Sequence, residues 1–178
     1  MNRKLKLSEL NRKSIEEFKA VQKLPVIVVL DNIRSHHNVG SIFRTADAFA
    51  FEAIYLCGYT PIPPHREIHK TALGATDSVA WKNFKSTKDA VDELKINGYE
   101  ILSIEQTSNS ISLEKFEISV KNKYAIVFGN EVSGVEQEII DLSDMVIEIP
   151  QIGTKHSLNI SICAGITMWQ FFKSLKNL

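Results

Sequence analysis

Apolar runs rich in β-branched residues alternate along this chain with stretches whose apolar positions recur every three or four residues. Val26-Ile27-Val28-Val29-Leu30 is uninterrupted, the pattern of a strand covered on both faces. Ala53–Cys57, Tyr99–Ile104, Tyr124–Phe128 and Met145–Ile149 read as further strands. Val39, Ile42, Phe43, Ala46, Phe49 and Ala50 fall at helical spacing. Ser86 caps a helix that runs to about Asn97 and closes at Gly98. Val132–Leu142 contains a short helix, Ser157–Leu175 a long terminal one, and Ser14–Gln22 a short amphipathic one ahead of the first strand. A weak helical turn is expected near Leu113–Phe116, and Pro61, Pro63 and Pro64 open a long loop. Strands alternating with helices predict an α/β fold, a mostly parallel sheet flanked by helices and joined by right-handed crossovers. At 178 residues the chain suits one domain, expected over 25–178 behind an extension at 1–24.

Charge refines this picture. The formal net charge is zero, yet residues 1–24 carry +4, residues 25–85 +1, residues 86–148 −8 and residues 149–178 +3. The chain is basic at both ends and acidic across its later middle. The histidines sit among cations in loop-like segments: His36 and His37 with Arg34, His65 and His69 with Arg66 and Lys70, His156 with Lys155. Solvated loops explain this arrangement; convergence in space would give a local basic face that the zero total conceals. The N-terminal residues lack the apolar segment of a signal peptide, and no run is long enough to span a bilayer. Cys57 and Cys163 lie in apolar surroundings without metal-ligand spacing, as buried thiols do in a reducing compartment. A cytoplasmic protein without metal or membrane contact is expected.

Ligands of parallel sheets bind beyond the carboxyl ends of the strands, where three polar, glycine-bearing segments fall. The first runs from Asn32 to Ala46 and contains Asn38-Val39-Gly40 and Arg44-Thr45-Ala46. Arg44 points away from the apolar stripe of its helix, and Gly40, one turn earlier, is expected to leave the surface beside it bare. Asn38 sits at the helix start, placed to cap it or touch a ligand. The second is Phe128-Gly129-Asn130-Glu131-Val132-Ser133-Gly134, where a buried strand brings bare backbone close to whatever lies beyond. Glu131 suits an acid favoured by a helix dipole or one that orients a ligand. No Gly-x-Gly-x-x-Gly and no Gly-Lys-Ser/Thr loop is present. The third, Ile149-Pro150-Gln151-Ile152-Gly153 through Ser157-Leu158-Asn159, reaches a helix start, where Ser157 is the expected cap.

Taken together and in order, Asn-x-Gly-x-x-x-Arg-Thr-Ala, Phe-Gly-Asn-Glu-x-x-Gly and Ile-Pro-x-x-Gly…Ser-Leu-Asn resemble the three motifs of the SpoU (TrmH) family in the SPOUT class of RNA methyltransferases, over roughly residues 25–175. Lys70-Thr71-Ala72-Leu73-Gly74-Ala75 is similar to the family's loop after the second strand. The resemblance implies a SPOUT-type fold with a C-terminal trefoil knot and S-adenosylmethionine as cofactor, with S-adenosylhomocysteine as product. It implies an RNA substrate, tRNA or rRNA, methylated at a ribose 2′-hydroxyl, and a homodimer. Arg44, Asn38, Glu131, Ser157 and Asn159 match the family's catalytic positions. Gly129, Ile149, Leu158, Asn130, Ser157 and the strand end Ile104-Glu105-Gln106 match its cofactor cradle. The Pro loop and the N-terminal extension would face RNA or a second subunit. No separate RNA-binding domain and no long basic C-terminal extension is evident, which leaves the RNA unidentified. The rival readings are a non-catalytic RNA-binding or assembly protein that keeps the fold, and a base methyltransferase.

The proposed chemistry needs an aligned in-line displacement and a way to stabilise a developing alkoxide. A guanidinium stays charged in proteins, so Arg44 is read as a phosphate grip and oxyanion stabiliser, with the proton leaving through phosphate oxygen or water. The terminal helix is apolar almost all round, from Leu158 and Ile160 to Phe172 and Leu175, so one face needs a second cover. A symmetry mate is the expected one.

Overall fold

The computed structural model describes residues 2–176. Its strands are β1 (Leu24–Asp31), β2 (Phe51–Cys57), β3 (Ala80–Phe84), β4 (Tyr99–Ile104), β5 (Ile111–Ser112), β6 (Lys123–Phe128) and β7 (Met145–Glu148). Its helices are α1 (Ile15–Ala20), α2 (His36–Ala48), α3 (Arg66–Ala72), α4 (Ala75–Ser78), α5 (Thr87–Ile96), α6 (Gln137–Leu142) and α7 (Ile160–Leu175). The strands form one sheet in the order β3-β2-β1-β6-β4-β7-β5, with every described pair parallel.

The apolar run in β1 is explained by burial on both faces. Val26, Val28 and Leu30 enter the core that α2 and α7 cover, whereas Ile27 and Val29 enter the one covered by α5 and α6. β6 repeats this division, with Tyr124, Ile126 and Phe128 on the first side and Ala125 and Val127 on the second. Burying each large aliphatic side chain contributes about 1.5–3 kcal/mol, so the two central strands anchor the loops that follow them.

The expected parallel α/β sheet is present, with differences at its edges. The long Pro loop contains α3, α4 and the strand β3. β3 lacks an apolar run because it is an outer strand whose side chains are exposed or half-buried. The segment near Leu113–Phe116 is a turn, closed by Lys115 N–H donating to Ser112, directly after the short outer strand β5. Gly40 does not bare the surface beside Arg44. It is buried under α3, where a Cβ would overlap Thr71 and the Ile68 carbonyl, so it sets how closely α2 and α3 approach.

The terminal helix begins at Ile160, and Asn159, not Ser157, is its cap, its side chain accepting from Ser161 N–H. α7 buries Ile160, Ala164, Met168 and Phe171 and leaves Ile162, Ile166 and Trp169 outward, with Trp169 48% exposed. Phe49 extends this surface by stacking on Phe172 at 4.9 Å between ring centroids. Among the described residues no helix is long and apolar enough to cross a membrane, and no group of His, Cys, Asp or Glu has the arrangement of a metal site.

Candidate active site

Beyond the carboxyl ends of β4, β6 and β7 lies a cavity of about 650 Å³, a size suited to a nucleoside-like ligand. Ile104, Glu105, Gln106, Gly129, Asn130, Glu131, Ile149, Ser157, Leu158 and Asn159 all line it. Hydrogen bonds across its mouth join segments distant in sequence. Glu131 accepts from the N–H groups of Arg34 (2.9 Å) and Ser35 (3.1 Å) and from Asn38 Nδ2 (3.1 Å). Asn159 Nδ2 in turn donates to Asn38 Oδ1 at 3.3 Å. One residue from each of the three segments thus meets at this point. Burial pushes the Glu131 carboxyl pKa up, but the donors from Arg34, Asn38 and Ser35 outweigh it and hold the pKa below the ordinary value. Glu131 is therefore ionised at neutral pH.

The cavity walls are tied in the same way. Glu105 accepts from Gln106 N–H (2.8 Å) and Val135 N–H (3.0 Å), and Gln106 Nε2 donates to the His156 carbonyl (2.9 Å). Ser157 lines the cavity next to this contact. By contrast, no amide between residues 149 and 158 donates a hydrogen bond within the described chain, which leaves donors available to a ligand. The charged side chains of the lining are Glu105, Glu131 and Glu148, with no Lys or Arg among them.

Asn130 lines the cavity, but its amide is used by the protein. Nδ2 donates to the Asn32 carbonyl (2.7 Å) and Tyr59 Oη (2.8 Å), while Oδ1 accepts from Val132 N–H (2.8 Å) and Ser133 N–H (3.1 Å). The side chain shapes the loop that follows β6. Asn130→Asp keeps the size but replaces donors with acceptors, so it is expected to lower stability by about 2 kcal/mol, read from the midpoint of a urea melt.

Arg44 stands apart from this cluster. It is exposed and lines a different cavity, together with Asn11, Arg12, Lys13, Ser14, Ile15, Phe18 and Val21. Helix geometry enforces the separation: six residues after Asn38, Arg44 lies about 120° around the α2 axis and about 9 Å along it. Within one chain, Asn38 faces the Glu131 cluster and Arg44 does not.

Gln137, Ile140, Glu148, His156 and Cys163 line the cavity too, outside the positions expected for the cofactor. Cys163 follows Ile160 by one helical turn, a spacing that could have placed both on one wall. Burial pushes its thiol up to about 11, so it is a protonated packing group and not a nucleophile.

The sequence pattern of the SpoU rRNA Methylase family matches residues 25–169. This chain belongs to the SpoU rRNA methylase family. A TrmH family tRNA/rRNA methyltransferase of Staphylococcus aureus is 29% identical over 159 residues, covering 89% of this chain and 63% of the relative. The SpoU chain described here therefore spans about three-fifths of that relative's length. An AdoMet-bound rRNA methyltransferase from Sinorhizobium meliloti superposes with a TM-score of 0.79 at 26% identity, over 89% of this chain and 60% of that one. The TrmH/SpoU tRNA modifying enzyme of A. aeolicus shares the SpoU fold, with a TM-score of 0.81 at 24% identity over 92% and 81% of the two chains.

Proposed function

We propose that this chain transfers a methyl group from S-adenosylmethionine to a ribose 2′-hydroxyl of tRNA or rRNA, as a cytoplasmic homodimer whose methyltransferase unit is residues 25–178. The observation that carries this reading is the Asn38–Glu131–Asn159 cluster at the mouth of the 650 Å³ cavity. The AdoMet-bound relative from Sinorhizobium meliloti supports it.

The residues present suit that cofactor. Carboxylates without Lys or Arg favour a cationic sulfonium. Ile104, Phe128, Ile140 and Ile160 supply an apolar wall for an adenine ring, and the unspent amides of residues 149–158 supply its polar contacts. When bound, S-adenosylmethionine supplies an electrophilic methyl carbon on sulfur. The protein's task is then to hold the ribose in line and support charge on its oxygen.

Asn38, Ser157 and Asn159 orient the ribose, and Glu131 fixes Asn38 while holding the start of α2. Arg44 of one protomer grips the phosphate next to the target at the cavity of its partner, where it stabilises the developing alkoxide. The proton leaves to phosphate oxygen or water, because the guanidinium has no free site for it. Dimerisation through Ile162, Ile166, Trp169 and Phe49 covers the outward apolar stripe and brings Arg44 across.

Calorimetry with S-adenosylmethionine tests the enzymatic reading against a non-catalytic RNA binder. Saturable binding with one site per chain is expected, and light scattering at micromolar concentration should give twice the chain mass. No heat of binding at millimolar cofactor would rule the enzyme out, and a monomer would rule out the shared site. Mapping 2′-O-methyl marks in total RNA from a deletion strain identifies the target, and loss of a base mark instead would move the reaction to nitrogen or carbon.

A further inference from the structure

A second cavity, of about 530 Å³, lies between residues 11–21 and the α2 and α4 helices, and it shares no lining residue with the cofactor cavity. Its cations come from separate parts of the chain: Arg12 and Lys13 on one wall, Arg44 on the other. All three are exposed, and none forms an ion pair among the described residues. The one acid in the lining, Asp47, accepts a hydrogen bond from Ser78 Oγ at 2.6 Å. Ile15, Phe18 and Leu73 give the cleft an apolar lining beneath that charge.

The Arg12–Lys13 wall is anchored. Ser14 and Glu17 form a reciprocal capping box at the start of α1, with Glu17 N–H donating to Ser14 Oγ and Ser14 N–H to Glu17 Oε2. Phe18 packs against the main core, and the Lys23 ammonium sits 3.1 Å from its ring centroid. The cations therefore stand over a fixed surface, and this wall precedes the family match, which begins at residue 25.

We propose that this cleft binds the phosphodiester backbone of substrate RNA beside the target ribose. Arg12 and Lys13 neutralise phosphates neighbouring the one that Arg44 grips. An open cleft with cations on opposing walls and an apolar floor suits a polyanionic strand whose sugars and bases need cover between charges. The assignment rests on the methyltransferase reading for the role of Arg44. It adds that residues 11–15 are part of the substrate site.

The test pairs the intact chain with its Arg12→Ala/Lys13→Ala variant and a labelled 20-nucleotide single-stranded RNA of mixed sequence. For single strands each phosphate contact contributes about 0.7 to the slope of log affinity against log salt. The double variant is expected to lose about 1.4 of that slope and to bind about 20-fold more weakly at 0.1 M salt. Arg12→Lys/Lys13→Arg should keep the slope. A thermal melt matching that of the unmodified chain excludes misfolding. An unchanged slope in the double variant, or an unmodified chain that binds no RNA at low salt, overturns the cleft. Cofactor calorimetry separates the two readings: RNA binding that depends on Arg12 and Lys13 without S-adenosylmethionine binding keeps the cleft and removes the methyltransferase.

Discussion

Arg44→Ala is expected to lower kcat by about a thousandfold while S-adenosylmethionine binds with unchanged affinity. The first half follows from removing a charge aimed at a developing oxyanion, where one lost donor costs about 10²–10³ in rate, and from losing the phosphate grip that aligns the ribose. The second half follows from the proposed role: Arg44 does not line its own chain's cofactor cavity, and at the partner's it holds the RNA phosphate and not the cofactor. Arg44→Lys keeps the charge but not the forked geometry and should fall in between. Single-turnover methyl transfer at saturating RNA measures each variant. Near-normal turnover by the lysine variant would remove the phosphate-clamp role.

Gly129→Ala has the second large effect. A Cβ there would overlap the backbone of Gly134 and Val135, where the Asn130–Gly134 bridge closes the loop after β6. Neither neighbour is a flexible side chain, so the loop must open. Overpacking of this kind costs about 1–3 kcal/mol, and at the upper end cofactor affinity falls about 100-fold. Titration calorimetry reads the affinity and a urea melt the stability. Wild-type binding in this variant would mean that the loop is not part of the cofactor site.

The two variants also test the dimer together. If Arg44 serves the partner's cavity, mixing the two variants under subunit exchange, at cofactor too dilute to fill the Gly129→Ala cavity, restores activity, since each mixed dimer pairs one intact cavity with one intact arginine. If Arg44 served its own chain, the mixture would stay inactive.

How far the sequence could be read depended on burial. Val26–Leu30 and Tyr124–Phe128 lie in the sheet centre, covered on both sides, and their composition announces it. Ala80–Phe84 has one described neighbour strand and solvent-facing side chains, so polar residues are tolerated and no pattern forms. The motif residues that meet at the cavity were legible as a set only because their order matched a known family. Their contacts span up to 121 residues of sequence, a distance that local periodicity does not encode. Asn130 shows the other limit. Its place at the cavity was legible, but its use in holding Asn32 and Tyr59 depends on chain segments brought close by folding. The expected cap at Ser157 failed because both Ser157 and Asn159 can cap a helix, and only the backbone path selects Asn159.

The position of β6 has a consequence for biosynthesis. It lies between β1 and β4, both of which precede it in the chain. A nascent polypeptide from which β1 and β4 have emerged and β6 has not therefore exposes two bare strand edges where the finished sheet has its middle, the kind of surface on which chains stick to one another. A translational pause that holds β6 inside the ribosome after β4 has emerged should raise the demand for chaperones more than a pause of equal length once β6 is also out.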